Sequence, residues 1–220
     1  MLKFFSKYKI FGITMLLLSI IIITIIYNIY DQPKSLPVWQ PAEVNRELVD
    51  STLYYTKKYH TVADFSLTNQ NGETITQKDY AGKIYVADFF FTTCQTICPI
   101  MTDHMFEIQE RLKENNDVKL LSHTVMPEVD SVAQLKKYAI EKGVDASKWN
   151  LVTGDKKEIY ALARKSYLAA KDNPYKANDL IHTENFVLVD AKKRIRGFYD
   201  GTDPEAIDRL LEDIEILEKE

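Results

Sequence analysis

Two cysteines are the residues of this chain with the clearest capacity for chemistry. Cys94 and Cys98 are its only cysteines, and three residues separate them. They follow an apolar run and precede a helical pattern, so the dithiol stands where a strand passes into a helix. A helix N-terminus favours the thiolate, which is the reactive and metal-binding form. A bridge across so short a loop would constrain little of the unfolded chain. The pattern therefore predicts a redox-active or metal-binding dithiol rather than a structural disulfide.

The residue after the second cysteine bears on the geometry of the pair. Pro99 is of a type favoured at the first helical position, and proline disfavours helical geometry at the residue before it. We therefore expect the helix to begin at Pro99, with Cys94 and Cys98 both in the strand-to-helix loop. Such a loop suits either a disulfide or two thiolates on one metal ion.

The metal that suits two thiolates depends on what else the chain can donate. Soft thiolates select Cu(I), zinc or iron–sulfur chemistry. A cluster or a structural zinc site needs four ligands, whereas copper accepts two thiolates and one imidazole. By spacing alone His182 is the best third donor, because it ends a polar loop just before a strand, although any single histidine is more often a surface or core residue. The candidates are His60, His104, His123 and His182.

The elements around the dithiol predict an α/β layered domain, and thioredoxin-like is the most economical fold. Residues 84–91 are nearly all apolar, which indicates a central strand buried on both faces. Asn71-Gly72 is a strong hairpin signal between two short alternating segments. Further strands are predicted at 118–125, 186–189 and 195–199, and helices after Pro99, Ser131, Asp155 and Asp203.

The N-terminus predicts a single transmembrane helix. Residues 10–30 carry no charged side chain, and as a helix they would span roughly 31 Å, the thickness of a bilayer core. Lys3, Lys7 and Lys9 precede this stretch, which keeps the N-terminus in the cytoplasm and places the rest of the chain outside. The alternative is a cleaved signal peptide, but the apolar stretch is long and no small-x-small cleavage site follows it.

These boundaries divide the chain into four parts. We expect a cytoplasmic N-terminus at 1–9, a transmembrane anchor at 10–30, a proline-containing linker at 31–58 and the thioredoxin-like domain at 59–220. No transit peptide precedes the anchor, which favours a bacterial inner membrane with the domain facing the periplasm or the outside. A net charge of −4 argues against a nucleic-acid partner.

Several segments together resemble the Sco/SenC family of membrane-anchored copper proteins of cytochrome c oxidase assembly. Residues 94–99 match the family's C-x-x-x-C-P motif, and residues 181–190 match its distal histidine followed by a strand. Residues 64–67, Asn71-Gly72 and residues 124–130 also look like family segments. The likeness covers nearly the whole chain, and the motifs are specific in this combination and order.

The resemblance implies a thioredoxin fold in which Cys94, Cys98 and His182 bind Cu(I) and Cu(II). It also implies help in metallating or reducing the oxidase's dinuclear copper site, with the copper-site subunit and an upstream copper donor as partners. One departure is that Met126-Pro127 stands where many members have Asp-Pro, while Asp130 fits the later acidic position. The resemblance does not make Met126 a ligand; if the family's aspartate tunes the site from outside the ligand set, its replacement here implies a different copper affinity or redox poise.

Three functions remain open from the residues. The leading prediction is a copper-binding chaperone without enzymatic turnover. The alternative is a thiol–disulfide oxidoreductase that keeps partner cysteines reduced with the same dithiol, and a third is a peroxide-reducing or redox-sensing thiol protein. His182 discriminates between the first two, because copper binding needs it and disulfide exchange does not.

Overall fold

The chain divides into two compact units, and the boundary between them in the sequence falls between Ser35 and Leu36. The computed structural model describes residues 8–30, 35–170 and 183–220. In the first unit, helix α1 runs from Lys9 to Tyr30 and is apolar nearly throughout. Within the described residues it is the one helix long and apolar enough to cross a membrane, a test that a signal sequence would also pass.

The second unit is built on a mixed sheet. Its described strands are β1 Ser66–Asn69, β2 Thr74–Thr76, β3 Ile84–Phe90, β4 Val118–Thr124, β5 Trp149–Thr153, β6 Asn185–Val189 and β7 Ile195–Asp200. They lie in the order β2-β1-β5-β4-β3-β6-β7, with β3, β4 and β5 parallel and the other pairings antiparallel. Strand β3 lies between β4 and β6, and all its residues are buried. The predicted central strand, the hairpin at Asn71-Gly72 and the strands predicted at 186–189 and 195–199 are confirmed.

This unit has four described α-helices, and all but the first of them begin directly after a capping residue that the sequence predicts. They are α2 Ile97–Arg111, α3 Val132–Lys142, α4 Lys156–Ala161 with a π-helical continuation at Leu162–Ser166, and α5 Pro204–Leu217. Side chains of Ser131, Asp155 and Asp203 accept hydrogen bonds from backbone N–H groups in the first turns of α3, α4 and α5. Gly143 ends α3 with φ 71°, a left-handed conformation that glycine adopts without a steric penalty.

Apolar side chains cover both faces of the sheet. Tyr85 and Phe89 of β3 belong to a cluster on one face, and Val86 and Phe90 belong to a cluster on the other face with residues of α2 and α5. All buried residues of the described chain lie between Gln40 and Leu217. The second unit therefore carries its own core and is expected to fold without helix α1.

The second compact unit extends from Leu36 to Glu220, so it includes the later part of the stretch predicted as the linker. The Trp39 N–H donates to the Ile195 carbonyl at 2.9 Å, and the Trp39 ring meets Phe198 edge-on with centroids 6.0 Å apart. Buried Arg196 donates to the carbonyls of Leu36 (2.7 Å) and Pro37 (3.0 Å). The residues that contact 36–39 lie more than 150 positions later in the sequence. The sequence of this segment, which has no periodicity, therefore does not predict these contacts.

Candidate metal centre

The structure brings the two cysteines together at the end of β3, but it does not place both in the loop. The Cys94 N–H donates to the Phe91 carbonyl at 3.2 Å, which begins the turn out of the strand. Helix α2 begins at Ile97, so Cys98 is in its first turn, and the prediction that Cys98 precedes the helix is wrong. The first N–H groups of a helix have no partner within it, so Pro99 costs no hydrogen bond there. Burial of Cys98 in the apolar cluster beside α2 offsets the bias against helical geometry before proline.

The two thiols are strongly unequal. Cys94 is half-buried and its sulfur lies 3.5 Å from the Thr96 hydroxyl, whereas Cys98 is 4% exposed. Burial alone would raise the pKa of Cys94, but hydrogen bonds from Thr96 and Cys98 outweigh it and lower that pKa to about 7. Burial, together with the hydrogen bond that it donates to Cys94, raises the pKa of Cys98 to about 12. Cys94 is therefore partly thiolate at neutral pH, while Cys98 stays protonated.

A buried carboxylate fixes the loop that carries Cys94. Asp130 is fully buried and accepts hydrogen bonds from the Thr92 N–H at 3.1 Å and the Thr92 hydroxyl at 2.5 Å. It also accepts one from the hydroxyl of Thr124, the last residue of β4. Gln134 of α3 donates to the Thr92 hydroxyl at 3.1 Å. Asp130 thus connects the end of β4 to Thr92, which follows β3 and lies two residues before the half-buried Cys94.

A second buried carboxyl, which sequence reasoning missed, lies on β3. Asp88 lies two residues from both Val86 and Phe90 on β3, so it faces the same side of the sheet as the cluster that contains Cys98. Burial raises its pKa to about 7, although Ser122 donates a hydrogen bond to it. Its Oδ1 has no hydrogen-bond partner among the described residues. The available signal was one acidic residue inside an otherwise apolar strand.

The other candidate ligands have separate contacts or lie elsewhere. His60 and His104 each direct a ring nitrogen at a backbone carbonyl, of Ser166 (2.8 Å) and Gly201 (2.7 Å). His123 is fully buried and stacks on Phe89 with ring centroids 4.9 Å apart. His182, the predicted third donor, lies outside the described residues. Within the described part of the chain, no group of three His, Cys, Asp or Glu side chains could hold a metal ion.

The chemistry of the dithiol fits copper. Two adjacent sulfur donors form a soft pair, and the partial thiolate character of Cys94 at neutral pH provides a ligand without strong base. Cys98 must release its proton when it binds a metal ion, so metal affinity is expected to rise with pH. The described residues supply two of the three donors that the sequence predicts.

Comparison with known proteins identifies the family. The SCO1/SenC family model matches residues 54–217, which are most of the chain. The chain belongs to the SCO1/SenC family. It is 36% identical over 157 residues to the SCO1 protein homolog of Bacillus subtilis, an alignment that covers 70% of this chain and 81% of that protein.

Solved structures of Sco proteins have the same fold. The structure of BsSco, a member of the Sco family of cytochrome c oxidase assembly proteins in which a disulfide switch was identified, is 35% identical with a TM-score of 0.62. The match covers 72% of this chain and 93% of BsSco. The structure of Arabidopsis thaliana ScoI with copper bound is 27% identical, with a TM-score of 0.57 over 70% of this chain and 98% of that one. The predicted thioredoxin-like α/β fold is confirmed, and Sco-family structures include copper-bound ones.

Proposed function

We propose that this protein is a membrane-anchored copper chaperone that holds copper through Cys94, Cys98 and His182. In this proposal it assists maturation of the dinuclear copper site of cytochrome c oxidase. The observation that carries the proposal is the pair of adjacent thiols after β3, one of them with a pKa of about 7. The family supports it, because Sco proteins act in cytochrome c oxidase assembly and the Arabidopsis relative has been crystallised with copper.

Copper is the cargo in this proposal, and the unequal thiols give each cysteine its own task. Cys94 is accessible and partly ionised, so it is the first ligand that incoming copper meets. Cys98 completes the pair by releasing its proton to solvent or to the donor protein. Asp130 accepts hydrogen bonds from Thr92 and so holds the segment that leads to Cys94. Partner proteins are the copper-site subunit of the oxidase and an upstream copper donor.

Helix α1 is proposed as an uncleaved anchor, with the domain outside the cytoplasm at a bacterial inner membrane. Its length and apolar composition support a membrane span. The three lysines before it support the orientation, because positive charges are retained on the cytoplasmic side. If the anchor is uncleaved, the full chain stays with membranes after alkaline carbonate extraction, and an external protease digests the domain in spheroplasts. A mature chain beginning near residue 31 would contradict this.

A thiol–disulfide oxidoreductase is the second candidate, and the unequal thiols favour it. The Cys94 thiolate would attack a partner disulfide, forming a mixed disulfide and releasing one partner thiol. Cys98 would then lose its proton and attack the Cys94 sulfur, releasing the second partner thiol and leaving a Cys94–Cys98 disulfide. The partner gains two electrons and the dithiol loses them. The disulfide switch of BsSco is consistent with such a reaction.

Copper titration of residues 36–220 tests the chaperone proposal. We expect about one Cu(II) per chain with thiolate-to-copper charge-transfer absorption, because both thiols contribute. Cys94→Ser and Cys98→Ser are each expected to abolish that absorption, while Met101→Leu, a packing control on the same helix, keeps it. Unchanged copper binding in both cysteine variants would refute the proposal, and sustained reductase turnover without copper would favour the second candidate.

A further inference from the structure

Residues 54–59, Tyr-Tyr-Thr-Lys-Lys-Tyr, include four exposed side chains that the dithiol chemistry does not use. We refer to them as the tyrosine–lysine segment. Tyr55 is 81% exposed and Tyr59 is 92% exposed, and Lys57 and Lys58 between them are also exposed. Two aromatic rings so close in sequence and so fully exposed indicate a contact surface more strongly than isolated apolar residues do.

The segment is held in place by its backbone. The Ala42 N–H donates to the Thr56 carbonyl at 3.0 Å, and the His60 N–H donates to the Gln40 side chain at 3.0 Å. Tyr59 has φ 66°, a left-handed conformation that is uncommon for a residue other than glycine. An aromatic residue held in that conformation while its side chain points into solvent contributes no packing that would explain it.

The two lysines of the segment have no charged partner among the described residues. Lys57 and Lys58 make no hydrogen bond or ion pair with any other described residue. Asp50, an acidic residue nearby in sequence, is engaged with the Thr52 N–H at 2.9 Å and with Lys165 at 3.7 Å. The whole chain carries a net charge of −4, so the positive charge of Lys57 and Lys58 is opposite in sign to the net charge of the chain.

We infer that the tyrosine–lysine segment docks on an anionic lipid surface. Tyrosine is enriched at membrane–water interfaces because its ring is apolar and its hydroxyl is polar, and lysines pair with anionic headgroups. The inference rests on the membrane anchoring in the proposed function, which keeps the segment at a high effective concentration near the bilayer. The lipid surface is favoured over an acidic protein because an anchored domain meets the bilayer continuously.

Vesicle co-sedimentation of residues 36–220, which carry their own core, tests this inference without the anchor. We expect partition into phosphatidylglycerol–phosphatidylcholine vesicles, weakened by salt, and little into phosphatidylcholine alone. Each lysine near an anionic surface strengthens partition about fivefold, so Lys57→Gln/Lys58→Gln should weaken it about 25-fold. Lys136→Gln/Lys137→Gln is the matched control, since it removes the same charge from an exposed pair on α3.

The aromatic contribution has its own variant. Tyr55→Ser/Tyr59→Ser is expected to fold, because both side chains are exposed, and to lose partition with the net charge unchanged. Absence of partition into the anionic vesicles, or equal loss in the two lysine-pair variants, would overturn the inference. Carbonate extraction of the full chain and copper titration do not involve this segment, so failure of vesicle binding would leave the proposed function intact.

Discussion

The inequality of the two thiols leads to a quantitative prediction for alkylation. At pH 7 about half of Cys94 is thiolate, given its pKa of about 7, whereas Cys98, with a pKa of about 12, is ionised to about one part in 10⁵. The lower basicity of the Cys94 thiolate reduces its intrinsic nucleophilicity by about two orders of magnitude relative to Cys98. The net expectation is that iodoacetamide modifies Cys94 a few hundred times faster, before the burial of Cys98 is considered.

A pair of variants separates the cause of the low pKa from its consequence. Cys98→Ser keeps a donor toward Cys94, whereas Cys98→Ala removes it. Loss of a hydrogen bond to a charged group costs about 1.5–3 kcal/mol, so the Cys94 pKa should rise by about one unit or more in the alanine variant and change less in the serine variant. The assay is the alkylation rate against pH, with the modified residue identified by mass spectrometry.

Two results would refute this reasoning. If Cys98 in the reduced wild-type chain were alkylated as fast as Cys94, the pair would not be unequal in the way the structure indicates. If the Cys94 pKa were the same in Cys98→Ala and Cys98→Ser, its hydrogen bond with Cys98 would not be what lowers it. A Cys94→Ser variant serves as the control, because it should leave only the slow reaction of Cys98.

Three further predictions concern buried polar groups of the domain. Burial lowers the pKa of His123 from 6.5 to about 4, so as pH falls the unfolded chain binds a proton at this position before the folded chain does, and the fold loses stability. In urea unfolding, His123→Phe should reduce the loss of unfolding free energy between pH 7 and pH 5 by about 2 kcal/mol. The same pH dependence in the variant and the wild type would contradict this. Burial raises the pKa of Asp88 from 3.8 to about 7, so the fold becomes less stable as pH rises through that range and the buried side chain must ionise. The gain in unfolding free energy from Asp88→Asn should be about 3 kcal/mol larger at pH 8 than at pH 5. The same gain at both pH values would contradict the raised pKa. Asp130→Asn weakens the hydrogen bonds to Thr92, so it should lower the free energy of unfolding by about 2 kcal/mol and broaden the copper charge-transfer band. Asp64→Asn, which removes a carboxylate from the surface, should have neither effect.

The sequence predicts the parts of the fold whose causes are local. The apolar run 84–91 is typical of a strand buried on both faces, and Asn71-Gly72 can turn a hairpin without strain. Ser131 and Asp155 cap the helices at which they stand, because their side chains reach N–H groups three residues ahead. The resemblance to the Sco/SenC family rests on residues 94–99 together with motifs at 181–190 and 124–130, and the family model confirms it.

Features that depend on distant partners could not be predicted in the same way. Cys98 enters the helix because its burial outweighs a local preference of proline, and burial is a tertiary property. The start of the segment 36–58 is held against the domain by Ile195 and Arg196, which lie far along the chain. The difference between the pKa values of Cys94 and Cys98 follows from hydrogen bonds and burial, which cannot be predicted from the spacing of the two residues.

The ligand set is the central claim, and X-ray absorption at the copper edge tests it most directly. For residues 36–220 loaded with one equivalent of Cu(I), the account predicts two sulfur scatterers and one imidazole nitrogen. His182→Ala should lose the nitrogen contribution and keep both sulfurs, while His104→Ala, whose ring contacts the Gly201 carbonyl, should match the wild type. A spectrum with fewer than two sulfurs, or one that His182→Ala leaves unchanged, would contradict the assignment of Cys94, Cys98 and His182 as the copper ligands.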